Sequence, residues 1–102
     1  MSKPKRVVVT GLGALSPLGN SVDEFWSNLT DGVSSADRIT HFDPSKFRTH
    51  FACELKDYDP ADHLEHNMIR RSDPYSQYAL VSTDQAVKDS GLDFDEMDPF
   101  DT

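Results

Sequence analysis

Apolar and polar positions change their period several times along the chain. Val7, Val8 and Val9 form an uninterrupted β-branched run closed by Thr10 and Gly11. That run predicts a short strand over residues 6–10, covered on both faces as in a parallel sheet. Gly11, Gly13, Pro17 and Gly19 make residues 11–20 a turn. Ser21-Val-Asp-Glu24 has the spacing of a capping box. Val22, Phe25, Trp26 and Leu29 then recur at i, i+3, i+4 and i+7, which predicts a helix over 22–31 stopped by Gly32.

Residues 33–49 read as irregular, with Phe42 and Phe47 as anchors. His50 to Lys56 alternates, placing Phe51, Cys53 and Leu55 on one side of a half-buried strand. Asp59-Pro60 signals a short helix to about Glu65. Asp73-Pro74 signals a longer one from 74 to Ser90, with Gly91 as its stop and Tyr75, Tyr78, Ala79, Ser82 and Ala86 on one face. The order strand, helix, strand, helix, helix is α/β. Two lone strands make no independent parallel sheet, so the layers read as incomplete.

Length and composition narrow the function classes. The chain has 102 residues and 36% hydrophobic content, room for one small domain. Eighteen acids against ten bases give a net charge of -8, which argues against nucleic acid as a partner. The run Asp93, Asp95, Glu96, Asp98 and Asp101 contains no base and reads as solvated. No apolar stretch approaches the ~20 residues of a membrane span, and the apolar run after the basic start is too short for a signal peptide. A single cysteine, Cys53, cannot form an internal disulfide. The expected compartment is the cytoplasm. Asn28-Leu-Thr30 matches the glycosylation pattern but falls inside a helix of such a chain, so it carries no weight.

The strand–glycine turn–helix order invites comparison with a dinucleotide site. That fingerprint requires a third glycine at the helix start. The frame here is Gly11-Leu-Gly13-Ala-Leu-Ser16, and the helix cap comes only at Ser21. The strand end and the helix N-terminus are therefore too far apart to share a pyrophosphate. No Gly-Lys-Ser/Thr follows either, so the turn is expected to be structural, with no nucleotide cofactor.

Three segments carry a more specific signal. "VVVTGLGALSPLGNSVDEFWSNL", "HFDPSKFRTHFACELKDY" and "RRSDPYSQYALVSTDQAVKDSGL" together resemble the amino-terminal region of the β-ketoacyl-acyl carrier protein synthases, most of all the elongating type II enzymes of fatty-acid synthesis. The resemblance covers nearly the whole chain. It implies the amino-terminal portion of a thiolase-like fold, a five-layered α/β sandwich, with residues 1–102 as part of one domain. It also implies decarboxylative condensation by a cofactor-free homodimer fed by an acidic acyl carrier protein.

The family's nucleophilic cysteine, in a Thr-Ala-Cys context at a helix N-terminus, and its two histidines do not occur here. The chain is thus expected to be an amino-terminal fragment, inactive alone. A polyketide ketosynthase, a chain-length factor and a non-catalytic acidic interaction module stand as alternatives.

Individual residues add little catalysis. Cys53 lies mid-strand on the apolar side and reads as a small buried hydrophobe. His63 and His66 are three apart and share a helical face in principle, but two ligands make a weak metal case, and no metal is expected. His41 and His50 read as solvated or capping residues. Arg70 and Arg71 are the one basic cluster that stands out, read as lying just before the long helix, where positive charge is mildly unfavourable. The family's carrier-contacting basic positions match Arg70 and Arg71. A third, three residues before Arg70, is Asn67 here, which implies a weaker contact.

Overall fold

In the computed structural model, residues 3–96 are described. Helix α1 spans Val22–Thr30, strand β1 Ala36–Arg38, strand β2 Phe51–Cys53, helix α2 His66–Arg71 and helix α3 Pro74–Ser90, with 3-10 turns at Pro60–Asp62 and Phe94–Glu96.

Local signals set the helix ends. The Ser21 hydroxyl accepts from the Glu24 amide at 3.2 Å, the forward half of the capping box. Gly32, at φ 70, closes α1. Its amide donates to Leu29 O at 3.2 Å and that of Val33 to Asn28 O at 3.0 Å, the paired bonds of a Schellman ending. Gly91 closes α3 in the same left-handed region.

Around these helices the sequence reading needs four corrections. Residues 6–10 form no strand. They have no strand partner, and Val7 is 89% exposed, because the sheet of the described residues pairs β1 with β2 and takes up no third strand. The segment read as irregular contains β1, which pairs antiparallel with β2 through Ala36–Cys53, Asp37–Ala52 and Arg38–Phe51. Ala-Asp-Arg has no apolar alternation to signal a strand. The strand expected over 50–56 shrinks to three residues, and both Phe51 and Cys53 are exposed, since nothing packs on that face. The helix expected after Asp59 is only a 3-10 turn. It is capped as predicted by Asp59, whose carboxylate accepts from the Ala61 amide at 3.0 Å.

The best-packed part is the contact between residues 11–20 and α3. A Cβ on Gly11 would strike Ala86 O and the Ser90 amide, and one on Gly13 would strike Ser82 O and the Ala86 amide. Neither glycine has a positive φ; both are there for space. Leu12 N donates to Asp89 Oδ2 at 3.0 Å and Ala14 N to Gln85 Oε1 at 3.0 Å. Gln85 Nε2 donates onward to Asn20 O at 2.8 Å. A tight turn follows, closed by reciprocal bonds between Ser16 and Gly19.

On α3 the buried side chains are Gln77 and Val81; Val81 belongs to the apolar positions, with Leu80 and Val87, expected to widen the buried surface of this helix, whereas Gln77 lies off the Tyr75–Tyr78–Ala86 face. Tyr58 joins the loop before α2 to α3, edge-on to Tyr78 at 5.4 Å and stacked on His63 at 5.7 Å. The radius of gyration is 18.2 Å, well above the ~13 Å of a compact chain of this length.

Candidate functional site

Helix α2 carries the basic pair. Its apolar content is only Met68 and Ile69, too little for periodicity to reveal a six-residue helix. Arg70 and Arg71 occupy its last turn, not the approach to α3. The electrostatic sign therefore reverses, because cations are stabilised at a helix C-terminus.

Both arginines are exposed. Among the described residues neither forms an ion pair. Asn67, at i−3 and i−4 from them, lies on the same face, and the three line a shallow depression of about 220 Å³. Two free guanidinium groups beside a neutral amide suit an anionic protein surface, since the planar fork matches carboxylate and phosphate oxygens.

Behind this face the chain turns sharply through Ser72 and Asp73 into α3. The turn is tied by Gln77, 7% exposed. Its Nε2 donates to Ile69 O at 3.2 Å and Ser72 O at 3.1 Å. Ile69 O is one of the last four carbonyls of α2, which have no partner within the helix. Sequence reasoning did not single out Gln77, since a glutamine amid apolar helix positions gives no sign of what it bonds.

The other candidates stay apart. Cys53 is exposed on β2, so the expected burial is overturned by the uncovered hairpin face. It lies at no helix N-terminus, and it lines one open depression with His41 and Glu54. His63 ends the 3-10 turn and His66 begins α2, so the two share no helical face.

His41 is exposed, as expected of a solvated residue, and it also has an ion-pair partner. Its Nε2 meets Glu54 Oε2 at 3.1 Å, while Glu54 also accepts from the Thr40 amide at 2.8 Å and the His41 amide at 3.2 Å. These donors, led by the Thr40 amide, hold the Glu54 carboxyl below its ordinary range. His50 Nε2 lies 2.6 Å from Phe47 O, a local loop contact. In the glycine turn, the Leu12 and Ala14 amides are occupied by α3 side chains and do not point at an open phosphate cradle.

Comparison with known proteins places this geometry. The sequence profile described as "Beta-ketoacyl synthase, N-terminal domain" matches residues 4–102. A 3-oxoacyl-[acyl-carrier-protein] synthase 2 of Staphylococcus aureus (strain COL) is 47% identical over 96 residues, 94% of this chain and 23% of that protein. The same-named protein of Coxiella burnetii (strain RSA 493 / Nine Mile phase I) is 48% identical over 92 residues, 90% of this chain and 22% of that protein.

Among solved structures, the ishigamide ketosynthase/chain length factor superposes with a TM-score of 0.79 at 36% identity, over 88% of this chain and 22% of that one. The AntDE:AntF complex, described as a type II PKS acyl-carrier protein with its ketosynthase bound to the hexaketide, gives a TM-score of 0.71 at 33% identity, over 94% of this chain and 24% of that one. The chain thus spans under a quarter of the length of each of these relatives. The corresponding part of a ketosynthase is the fold seen here.

Proposed function

The chain belongs to the β-ketoacyl synthase family, within its N-terminal domain, and from that membership we propose that it serves a 3-oxoacyl-acyl carrier protein synthase as the segment that receives the acyl carrier protein. The whole enzyme transfers an acyl group from the carrier's thioester to a cysteine thiol, releasing the carrier thiol. Malonyl-carrier protein then loses CO2. The resulting carbanion attacks the enzyme thioester, forming the 3-oxoacyl product and freeing the cysteine. Those reacting groups are carried by other parts of the family's chain. What this segment contributes is the face of α2.

The observation that carries the reading is the unpaired Arg70–Arg71 pair beside Asn67 on an exposed face, in a chain 47% identical to a carrier-protein-dependent synthase. An acidic carrier would approach this local positive patch against a net charge of -8, so the contact is short-ranged and salt-sensitive. We read the whole enzyme as a cytoplasmic homodimer. No helix among the described residues is long and apolar enough to cross a membrane.

The test is a full-length synthase carrying this segment in place of its own. With Arg70→Glu and Arg71→Glu together, the KM for acyl-carrier protein should rise at low salt, chiefly through slower association. Each exposed charge is worth about 1 kcal/mol or less. An unchanged KM at low salt would remove the docking role.

A second reading, a polyketide ketosynthase or its chain-length partner, draws on the ishigamide superposition. Identity favours the fatty-acid enzyme, at 47% against 36%. Product analysis separates them: a single 3-oxoacyl-carrier protein per cycle supports the first, and repeated condensation without reduction the second.

A further inference from the structure

We infer that Gln77 is a positioning residue for carrier-protein docking: by capping the C-terminus of α2 from within α3, it fixes the direction in which Arg70 and Arg71 present their charges. The inference rests on the docking role proposed above.

Three features of the geometry carry it. Gln77 is the one buried polar side chain of α3. Both of its Nε2 bonds go to the chain that brackets the arginine pair, Ile69 O on one side and Ser72 O on the other. Apart from its contact with the Pro60–Asp62 turn near its N-terminal side, helix α2 has little else to hold its orientation. It has six residues, no buried side chain and no side-chain cap at its N-terminus. An isolated helix of that length does not persist in water. Its direction is thus imposed from outside, and Gln77 makes that connection at the arginine end. Its own amide donates to Asp73 O at 3.1 Å, so the side chain that holds α2 is anchored in the first turn of α3.

Without the two donors, Ile69 O and Ser72 O turn toward water and the last turn of α2 frays. The arginines keep their charge but lose a fixed geometry. Bidentate contacts then require ordering at the moment of binding. The loss falls on carrier docking and spares both the chemistry and a substrate delivered without carrier.

The experiment compares Gln77→Met, of nearly equal shape but without N–H groups, with wild type in a full-length synthase carrying this segment. The probes are acyl-carrier protein and the same acyl group on pantetheine. We expect a roughly fivefold rise in KM for acyl-carrier protein, from about one hydrogen bond's worth of preorganisation. The kcat and the KM for acyl-pantetheine should stay within twofold. Equal change with both substrates would mark Gln77 as merely structural and overturn the inference, as would no change with either.

Should Gln77→Met fail to fold, Gln77→Asn, one methylene too short to reach both carbonyls, is read by the same split. The Arg70→Glu, Arg71→Glu variant is run in parallel. If it leaves the carrier KM unchanged, the docking role falls and this inference falls with it. If it raises KM while Gln77→Met does not, only the inference about Gln77 falls.

Discussion

Two regions a few residues apart behave in opposite ways. Residues 11–20 are bound to α3 by backbone-to-side-chain bonds and by glycines that let two backbones touch. Residues 7–9, just before them, and the β1–β2 hairpin leave Val7, Val9, Phe42, Phe47 and Phe51 open to water, each more than half exposed. The first region finds its complement within 102 residues. The second has the composition of a buried strand and a packed hairpin, and the described residues hold nothing to bury them. Stability is therefore distributed unevenly, and perturbations should show it.

The broadest test is the isolated chain. With Val81 as the buried hydrophobic residue among those described, apolar burial is too small to offset about 1–2 kcal/mol of backbone entropy per ordered residue. Urea titration followed by circular dichroism should show no cooperative transition for a monomer, or light scattering should show self-association. A monomer that melts sharply at high temperature would erase the contrast between the two regions.

Next in size is a pair of glycine substitutions in a full-length synthase carrying this segment. Gly13→Ala drives a Cβ into the backbone of α3 and should destabilise by about 3 kcal/mol or more. Gly32→Ala meets open space but keeps a left-handed φ, so about 1 kcal/mol is expected. Chemical denaturation of both variants measures the ratio. Similar losses would mean that the 11–20 crossing is less tight than its geometry implies.

That pair also shows what could be read from sequence. The helix caps at Ser21, Gly32 and Gly91 were legible because each signal acts within a few residues. The structural role of Gly11 and Gly13 was legible only by exclusion, since Ser16 breaks the nucleotide pattern. The surface they press against comes about 70 residues later.

β1 was missed because Ala36-Asp-Arg38 has no period. The strand over 6–10 was over-read because β-branched residues state a preference that needs a partner to be met. For the site, Arg70 and Arg71 were found by charge and by the family resemblance. Their place at a helix C-terminus, and the capping by Gln77, depend on a turn the sequence only half declares.

A smaller effect is expected in the hairpin. The Glu54 carboxyl is held below its ordinary range by the Thr40 and His41 donors. Its contribution is complete above the unfolded glutamate pKa of about 4.3 and is lost as the pH falls through the lower folded value. Protection of the Thr40 and His41 amides, relative to their intrinsic exchange, should fall over that window and be lower at all pH values in Glu54→Gln. Protection independent of pH would show that Glu54 does not hold the loop. The smallest expected change is at the exposed pair of Lys88 and Asp84, 2.8 Å apart. Lys88→Ala should cost no more than about 0.5 kcal/mol, by the same denaturation measurement.

The bond from Leu12 to Asp89 spans 77 residues, and on a ribosome that span is a delay. At about 5–20 residues per second, the glycine segment emerges roughly 4–15 s before the helix that receives it. Throughout that interval Val7 to Val9 travel as a bare β-branched tract. An unpaired β-branched segment of this kind is a template for aggregation. The tight crossing that anchors the finished fold thus closes late in synthesis, and it leaves Val7 to Val9 open to water even then.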